Sequence, residues 1–159
     1  MISIAIADNH AIVRSGLKQI FGTTTDITVV GEASNSMEVL ELCRQVSCDL
    51  LLLDMTMPGS SGVELIKRLR VEMPTLPILI LSMHNEGQIV SLALKAGAAG
   101  YVTKDSETEV LLTAIRRIAA GGKFIDPSLV EVVVFNPLSQ SSLPHDSLSE
   151  RELQVLLIS

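Results

Sequence analysis

The stretch CDLLLLD, residues 48–54, decides the fold that the sequence predicts. Four leucines in succession, with no polar residue among them, are typical of a strand covered on both faces in the centre of a parallel sheet. Other apolar runs of strand length lie before it at 2–7 and 27–33, and after it at 77–83 and 99–104. We therefore expect a sheet of five strands in which this segment is central.

Segments with helical periodicity separate the apolar runs. They cover residues 10–21, 36–46, 62–72, 86–97 and 106–122. Ile12 in the first of these helices and Met37 in the second are predicted to lie on the buried faces. The alternation of strand and helix predicts an α/β fold, a flavodoxin-like (βα)5 doubly wound parallel sheet with helices on both faces.

Composition and charge narrow the class of protein. A hydrophobic share of 47% and a charged share of 19% describe a globular chain with enough apolar residues for a full core. The net charge of −6 argues against nucleic-acid binding by this chain, because phosphate contacts need clusters of Lys and Arg. Since there is neither an apolar run of the ~20 residues that a membrane span needs nor a basic N-terminal region, we expect a cytoplasmic protein with no membrane partner. The two cysteines are predicted to be reduced thiols, and the three histidines show no spacing typical of metal ligands.

Polar residues stand at the ends of four of the five predicted strands. They are Asp8 and Asn9 after the first strand, Asp54 after the third, Ser82 in the fourth and Lys104 in the fifth. Taken singly, such residues are more often helix caps, turn formers or solvated side chains. Because ligands bind at the carboxyl ends of the strands in an open parallel sheet, their joint placement predicts a functional site at that edge.

The residue types at this edge suit phosphoryl transfer to a carboxylate. Asp54 is the candidate nucleophile, which would form an acyl phosphate. Oxygen ligands from Asp54 and from the end of the first strand would hold Mg²⁺, and the ammonium of Lys104 would neutralise further charge in the transition state. Ser82 could then donate a hydrogen bond to the phosphoryl group, and Tyr101 could turn into the space that Ser82 leaves. Such a pair would form a two-state element.

Four segments, in this order along the chain, carry a resemblance to a known family. They are ADNH (7–10), LLLDMTMPGSSGVELI (51–66), ILSMH (80–84) and GYVTKDS (100–106). Together they resemble the receiver domain of bacterial two-component response regulators, over about residues 2–122. The tail LSERELQVLL (148–157) resembles the start of a LuxR-type helix-turn-helix, which places the chain in the NarL/FixJ class.

The resemblance implies a role for each residue of the site. Asp54 would be the phosphoacceptor, supplied by the phosphohistidine of a sensor histidine kinase. Thr56 would give its backbone carbonyl to Mg²⁺, and Ser82, Tyr101 and Lys104 would serve the switch. Such a domain is a signalling component and not an enzyme, with at most slow self-dephosphorylation. In this family phosphorylation favours a homodimer or releases a DNA-binding domain that regulates transcription.

One residue departs from the family pattern. The family usually has two consecutive acidic residues after the first strand, and the second contacts the metal directly. Here Asp8 is followed by Asn9, whose amide carbonyl can bind Mg²⁺ but contributes no charge. We therefore expect weaker Mg²⁺ binding than with two acids, and the alternative that Asn9 is a neutral replacement stays open.

Two other classes of protein compete with the phosphorylation switch. A hydrolase that forms an aspartyl phosphate usually carries a second Asp two residues after the nucleophile, where this chain has Thr56. A flavodoxin-like module that binds a nucleotide or flavin would need a glycine-rich loop after the first strand, but the first glycine there is Gly16. A receiver that stands alone, without a DNA-binding output, is a further alternative.

The sequence predicts three parts. Residues 1–122 form the receiver, and residues 123–147, rich in Ser and Pro towards their end, form a linker with room for a short helix from Pro127. Residues 148–159 are predicted to be the first helix of the helix-turn-helix domain, which is too acidic to contact DNA itself. We interpret the stop at Ser159 as a cut inside that domain of a longer protein, with a natural truncation as the alternative.

Overall fold

The computed structural model describes residues 1–59 and 61–130. Strands and helices alternate through this part of the chain. The strands are Ile2–Ala7 (β1), Ile27–Ala33 (β2), Leu50–Leu53 (β3), Ile78–Ser82 (β4), Gly100–Thr103 (β5) and Phe124–Ile125 (β6). The α-helices are Ala11–Gly22 (α1), Ser36–Gln45 (α2), Gly62–Glu72 (α3), Gly87–Ala96 (α4) and Thr108–Ala119 (α5), and a 3₁₀ helix, Pro127–Leu129, follows β6.

The strands form one parallel sheet in the order β2-β1-β3-β4-β5-β6. This order confirms the predicted doubly wound, flavodoxin-like fold. The chain winds in one direction from β1 to β2 and in the other direction from β3 onward. The carboxyl ends of β1 and β3 therefore border the crevice at which such sheets bind their ligands.

The leucines of β3 join two separate halves of the core. Leu50 and Leu52 pack with residues of α1 and α5 on one face of the sheet. Leu51 and Leu53 pack with residues of α2, α3 and α4 on the other face. Because successive side chains of a strand point to opposite faces, a strand between two helical layers has to be apolar throughout. The structure confirms the interpretation of the leucine run.

Two residues predicted on buried helix faces are exposed instead. The exposed fraction is 88% for Ile12 and 79% for Met37. Neither residue lies on the buried face of its helix. At 100° per residue, Ile12 is about 140° from Leu17 and 180° from Phe21, and Met37 is about 100° from Ser36 and 120° from Cys43. The buried face of α1 is formed by Leu17 and Phe21, further along the helix.

None of the helices in residues 1–59 and 61–130 has the length and apolarity that a membrane crossing needs.

The sheet continues beyond the boundary predicted at residue 122. Phe124 and Ile125 pair in parallel with Gly100 and Tyr101 of β5, which adds a sixth strand where the sequence predicted a linker. Two residues are too few to show a strand period, so the pattern could not reveal this strand. The helix expected from Pro127 begins, within the described residues, as a 3₁₀ turn over Pro127–Leu129. The rest of the linker and the predicted helix at 148–159 lie outside the described residues.

Asp126 anchors the chain after β6 to the end of β5. Its backbone N–H donates to the carbonyl of Tyr101 (2.9 Å), and its carboxylate accepts hydrogen bonds from Thr103, Ser106 and Ser128. The residue is 2% exposed. Burial alone would raise the pKa of Asp126, but the hydrogen bonds from Ser106, Ser128 and Thr103 outweigh it and hold this pKa below its ordinary value.

Replacement of Gly100 by alanine should loosen β6. A Cβ at this position would lie 2.4 Å from the carbonyl oxygen of Phe124 and 2.8 Å from Cδ1 of Ile118, so the β6 backbone would have to move. We expect a loss of about 1–3 kcal/mol in the free energy of unfolding. Urea denaturation measures that loss, and amide hydrogen exchange should show faster exchange at residues 124–125.

Gly16→Ala is the matched control, because a Cβ there meets no atom within 4 Å in the middle of α1. That variant should be more stable by roughly 0.5–1 kcal/mol. A Gly100→Ala protein as stable as the parent chain would show that β6 does not depend on this close approach.

Stability should fall at acid pH partly through Asp126. Because its pKa is lower in the folded chain than in the unfolded chain, its contribution is complete above the unfolded value of about 3.9 and is lost as pH falls through the folded value. Asp126→Asn should therefore lower the free energy of unfolding at pH 7 by about 2 kcal/mol, the size expected for hydrogen bonds to a charged group. The decline of this free energy between pH 5 and pH 3 should also be less steep than in the parent chain. Denaturation over that range measures both effects. Asp105→Asn, an exposed change of equal charge, should keep the parent slope.

Candidate functional site

The ends of three strands bring two carboxylates and one ammonium together. Asp8 follows β1, Asp54 follows β3 and Lys104 follows β5. The backbone N–H of Asp54 donates to the carbonyl of Ala7 (2.9 Å), and that of Lys104 donates to the carbonyl of Ser82 (2.9 Å). The sheet hydrogen bonds thus extend one residue past each strand, which fixes the three side chains at one edge.

Lys104 is shared between the two acids. Its Nζ lies 2.7 Å from Oδ2 of Asp8 and 3.4 Å from Oδ2 of Asp54. The side chains of Asp8 and Asp54 are only 3% and 2% exposed, and that of Lys104 is 12% exposed. Two carboxylates facing one ammonium leave an excess negative charge in a site with little water to screen it. The site is therefore suited to a further cation.

His10 adds a third ligating group to the two acids. Its backbone N–H donates to Oδ1 of Asp8 (2.8 Å), and its ring Nδ1 lies 3.1 Å from the same oxygen. Asp8, His10 and Asp54 each offer one ligand atom, and these atoms lie within 4.8 Å of one another. The sequence prediction missed His10, although its position two residues after Asp8 was the available signal. Asn9 is exposed at the same turn.

Thr56 binds the candidate nucleophile directly. Its Oγ1 lies 3.2 Å from Oδ1 and 3.1 Å from Oδ2 of Asp54, and its backbone N–H donates to Oδ1 (3.3 Å). These hydrogen bonds orient the carboxylate. The family resemblance implied a role for the carbonyl of Thr56 and not for its hydroxyl, so the side-chain contact was missed.

Ser82 and Tyr101 meet at the backbone of His84. Oγ of the buried Ser82 accepts a hydrogen bond from the N–H of His84 (3.1 Å), and the hydroxyl of Tyr101 donates to the carbonyl of His84 (2.8 Å). Tyr101 is fully buried, and burial raises the pKa of its hydroxyl. The phenol therefore stays neutral and able to donate. The two residues predicted to form a switch are thus linked through one peptide segment.

A charged network supports the loop after β1. The guanidinium of Arg14 donates to the carbonyl of Asp8 (2.5 Å) and to Glu32 (3.1 Å), and Nζ of Lys18 lies 2.9 Å from Glu32. The hydrogen bond from Lys18, together with that from Arg14, outweighs the cost of burial and lowers the pKa of Glu32. These contacts join β2 to α1 and hold the backbone of Asp8. Sequence spacing gives no indication of them, because residues 14 and 32 are brought together only by the fold.

Comparison with known proteins matches residues 4–116 to the response regulator receiver domain. The response regulator UvrY of Escherichia coli is 32% identical over 160 residues, which cover 99% of this chain and 73% of UvrY. The nitrate/nitrite response regulator NarL of Escherichia coli is 41% identical over 131 residues, which cover 82% of this chain and 61% of NarL.

Solved structures show the same architecture. A LuxR-family two-component response regulator from Aurantimonas is similar with a TM-score of 0.82 and 32% identity, covering 87% of this chain and 99% of that one. RcsB from Salmonella enterica, bound to a promoter in the presence of the phosphomimetic BeF3⁻, is similar with a TM-score of 0.80 and 27% identity, covering 92% of this chain and 73% of RcsB. The chain belongs to the receiver family of two-component response regulators, in the NarL class.

Proposed function

We propose that Asp54 accepts a phosphoryl group from the phosphohistidine of a sensor histidine kinase and that this modification controls transcription. The observation that carries the proposal is the sharing of Lys104 between Asp8 and Asp54 at the crevice of the sheet. A carboxylate in this position has an oxygen available as a nucleophile and a cation beside it to neutralise incoming negative charge.

In the proposed reaction, an oxygen of Asp54 attacks the phosphorus of the donor. The O–P bond forms while the P–N bond to the donor imidazole breaks, and the leaving nitrogen keeps the electron pair. The ammonium of Lys104 offsets charge on the phosphoryl oxygens. Thr56 holds the carboxylate in orientation through its hydroxyl and N–H. The donor ring, protonated on its other nitrogen, leaves as neutral imidazole, so this chain needs no general acid.

Mg²⁺ fits the site on the chemistry of its donors. Two buried carboxylates oppose one ammonium, and oxygen ligands are those that Mg²⁺ prefers. Asp8 and Asp54 would hold the ion, together with the Thr56 carbonyl and either Asn9 or His10. When bound, the ion would neutralise charge on the transferring phosphoryl group.

Ser82 and Tyr101 form the proposed switch. The hydroxyl of Ser82 accepts from the N–H of His84, and in the phosphorylated state it would donate its own proton to a phosphoryl oxygen on Asp54. A shift of Ser82 towards that oxygen would release His84 and with it the hydroxyl of Tyr101. The phosphorylated and unphosphorylated states would then differ in the segment after β4, which could alter self-association.

The output of the switch is proposed from the relatives. UvrY and NarL are response regulators, and the RcsB structure holds a promoter. We propose that residues 148–159 open a LuxR-type DNA-binding domain, joined to the receiver by a linker, and that phosphorylation favours a homodimer. The net charge of −6 fits a chain that leaves DNA contact to another segment. We also propose that the protein is cytoplasmic.

The hydrolase alternative is disfavoured because Thr56 stands where a second Asp would act as general acid.

Asp54→Asn should abolish phosphorylation. Incubation of the parent chain with acetyl phosphate and Mg²⁺ should add one phosphoryl group, because the carboxylate oxygen is the nucleophile and an amide is far weaker. Intact mass spectrometry measures the addition, and tandem spectra locate it. Size-exclusion chromatography before and after the reaction reports any change in oligomeric state.

Asp49→Asn is the matched control. Asp49 directly precedes β3, at the end of the strand away from Asp54, so its replacement should leave the reaction intact. Modification that persists in Asp54→Asn would refute the assignment. Continuous release of phosphate without a stable adduct would favour the hydrolase instead.

Asn9→Asp should tighten Mg²⁺ binding, because a second charge would be added beside Asp8. We expect a gain of roughly tenfold, about 1.4 kcal/mol, by isothermal titration calorimetry. Asn85→Asp is the matched control, since it adds the same charge at an exposed position after β4. Equal affinity of the parent chain and Asn9→Asp would show that Asn9 is a neutral replacement.

A further inference from the structure

The carboxylate of Asp126 joins two parts of the molecule through its two oxygens. Oδ2 accepts from the N–H of Thr103 (3.1 Å), from Oγ1 of Thr103 (3.3 Å) and from the hydroxyl of Ser106. Oδ1 accepts from the N–H (2.9 Å) and the hydroxyl (2.8 Å) of Ser128. One oxygen therefore binds the turn between β5 and α5, and the other binds the 3₁₀ helix that precedes residue 130.

The turn that Asp126 binds carries the lysine of the phosphorylation site. Thr103 is bound by Asp126 on one side, and the N–H of Lys104 donates to the carbonyl of Ser82 on the other side (2.9 Å). Hydrogen bonds from the N–H groups of Thr103 and Lys104 thus hold the backbone on both sides of this peptide unit. Its position sets where the ammonium of Lys104 can reach, 2.7 Å from Asp8 and 3.4 Å from Asp54.

Asp126 is held by neutral donors. Among the described residues no salt bridge includes it, so its buried charge depends on the amide and hydroxyl groups of Thr103, Ser106 and Ser128. The hydroxyls of Thr103 and Ser106 also lie 2.8 Å apart and bind each other. A shift of Thr103 would therefore change both contacts to Oδ2. Because a buried carboxylate without its donors is costly, the chain around Asp126 has to follow such a shift.

We infer that Asp126 is a positioning residue that couples Lys104 to the chain segment 124–130. The inference rests on the proposed phosphorylation of Asp54, since Lys104 has to respond to the phosphoryl group. When the ammonium moves towards the new negative charge, Thr103 moves with it and Asp126 transmits the change to the 3₁₀ helix. Segment 124–130 leads directly into the residues proposed to connect to the output domain.

Coupling of this kind is reciprocal. If a ligand at Asp54 changes the order of segment 124–130, then weakening the Asp126 contact to the β5–α5 turn must change the affinity for that ligand by the same factor. A purely structural role for Asp126 predicts a different outcome. Loss of either set of contacts would then lower stability without a selective effect on ligand binding.

Ser106→Ala and Ser128→Ala form a matched pair for the test in the full chain. Each removes one hydroxyl donor to Asp126, the first from Oδ2 and the second from Oδ1. The ligand is beryllium fluoride with Mg²⁺, an analogue of the phosphoryl group, and ¹⁹F NMR measures its affinity. Hydrogen exchange with mass spectrometry measures the protection of segment 124–130 with and without the ligand. Thermal unfolding measures stability, and Asp54→Asn is the control for binding at the site.

We expect Ser106→Ala to bind beryllium fluoride about fivefold or more weakly, the lower range for coupled sites, and to lose the change in protection at 124–130 that the ligand causes in the parent chain. Ser106→Thr, which keeps the hydroxyl, should restore both. Ser128→Ala removes a donor at the other end of the same link, so it should also weaken binding and lose the change in protection at 124–130.

Parent affinity for beryllium fluoride in both Ser106→Ala and Ser128→Ala, with their stability lowered, would overturn the inference. Protection of segment 124–130 that does not respond to the ligand in the parent chain would also overturn it. Both outcomes leave the proposed function standing. A parent chain that binds no beryllium fluoride would instead refute the proposed function, and the inference with it.

Discussion

The ammonium of Lys104, held between two buried carboxylates, is the contact on which the rest of the structure depends. Like charges at the ends of β1 and β3 repel each other, and the cation from β5 offsets that repulsion. That arrangement requires the ends of β1, β3 and β5 to keep their positions relative to one another. A sheet covered by helices on both faces holds them there. The rigid leucine core therefore serves the site, because a looser core would let the charges separate or hydrate.

Much of this arrangement could be predicted from the sequence. The leucines at 50–53 have no polar residue among them, and a run of that kind is typical of the centre of a parallel sheet. Once the strand order of such a fold is accepted, Asp8, Asp54 and Lys104 follow from their positions directly after strands. The local pattern and the global fold agree here, so the prediction needed no side-chain detail.

The parts that escaped prediction depend on contacts that the fold alone creates. Arg14 reaches Glu32 across two elements, and Asp126 reaches Thr103 across a whole helix. A strand of two residues is likewise defined by its partner and not by its own pattern. The exposure of Ile12 and Met37 is a different case, because both lie off the buried face of their helices. A strict 100° step along each helix separates them from that face, so their exposure was predictable from the sequence.

The short β6 strand also has a consequence for self-association. Without it, β5 would be the edge of the sheet, and its free N–H and C=O groups would be open to pairing with another molecule. Phe124 and Ile125 cover that edge, and at two residues in length β6 is itself a poor template for a further strand. A chain ended at residue 122 would lose this cover and leave the edge of β5 open to pairing with another molecule.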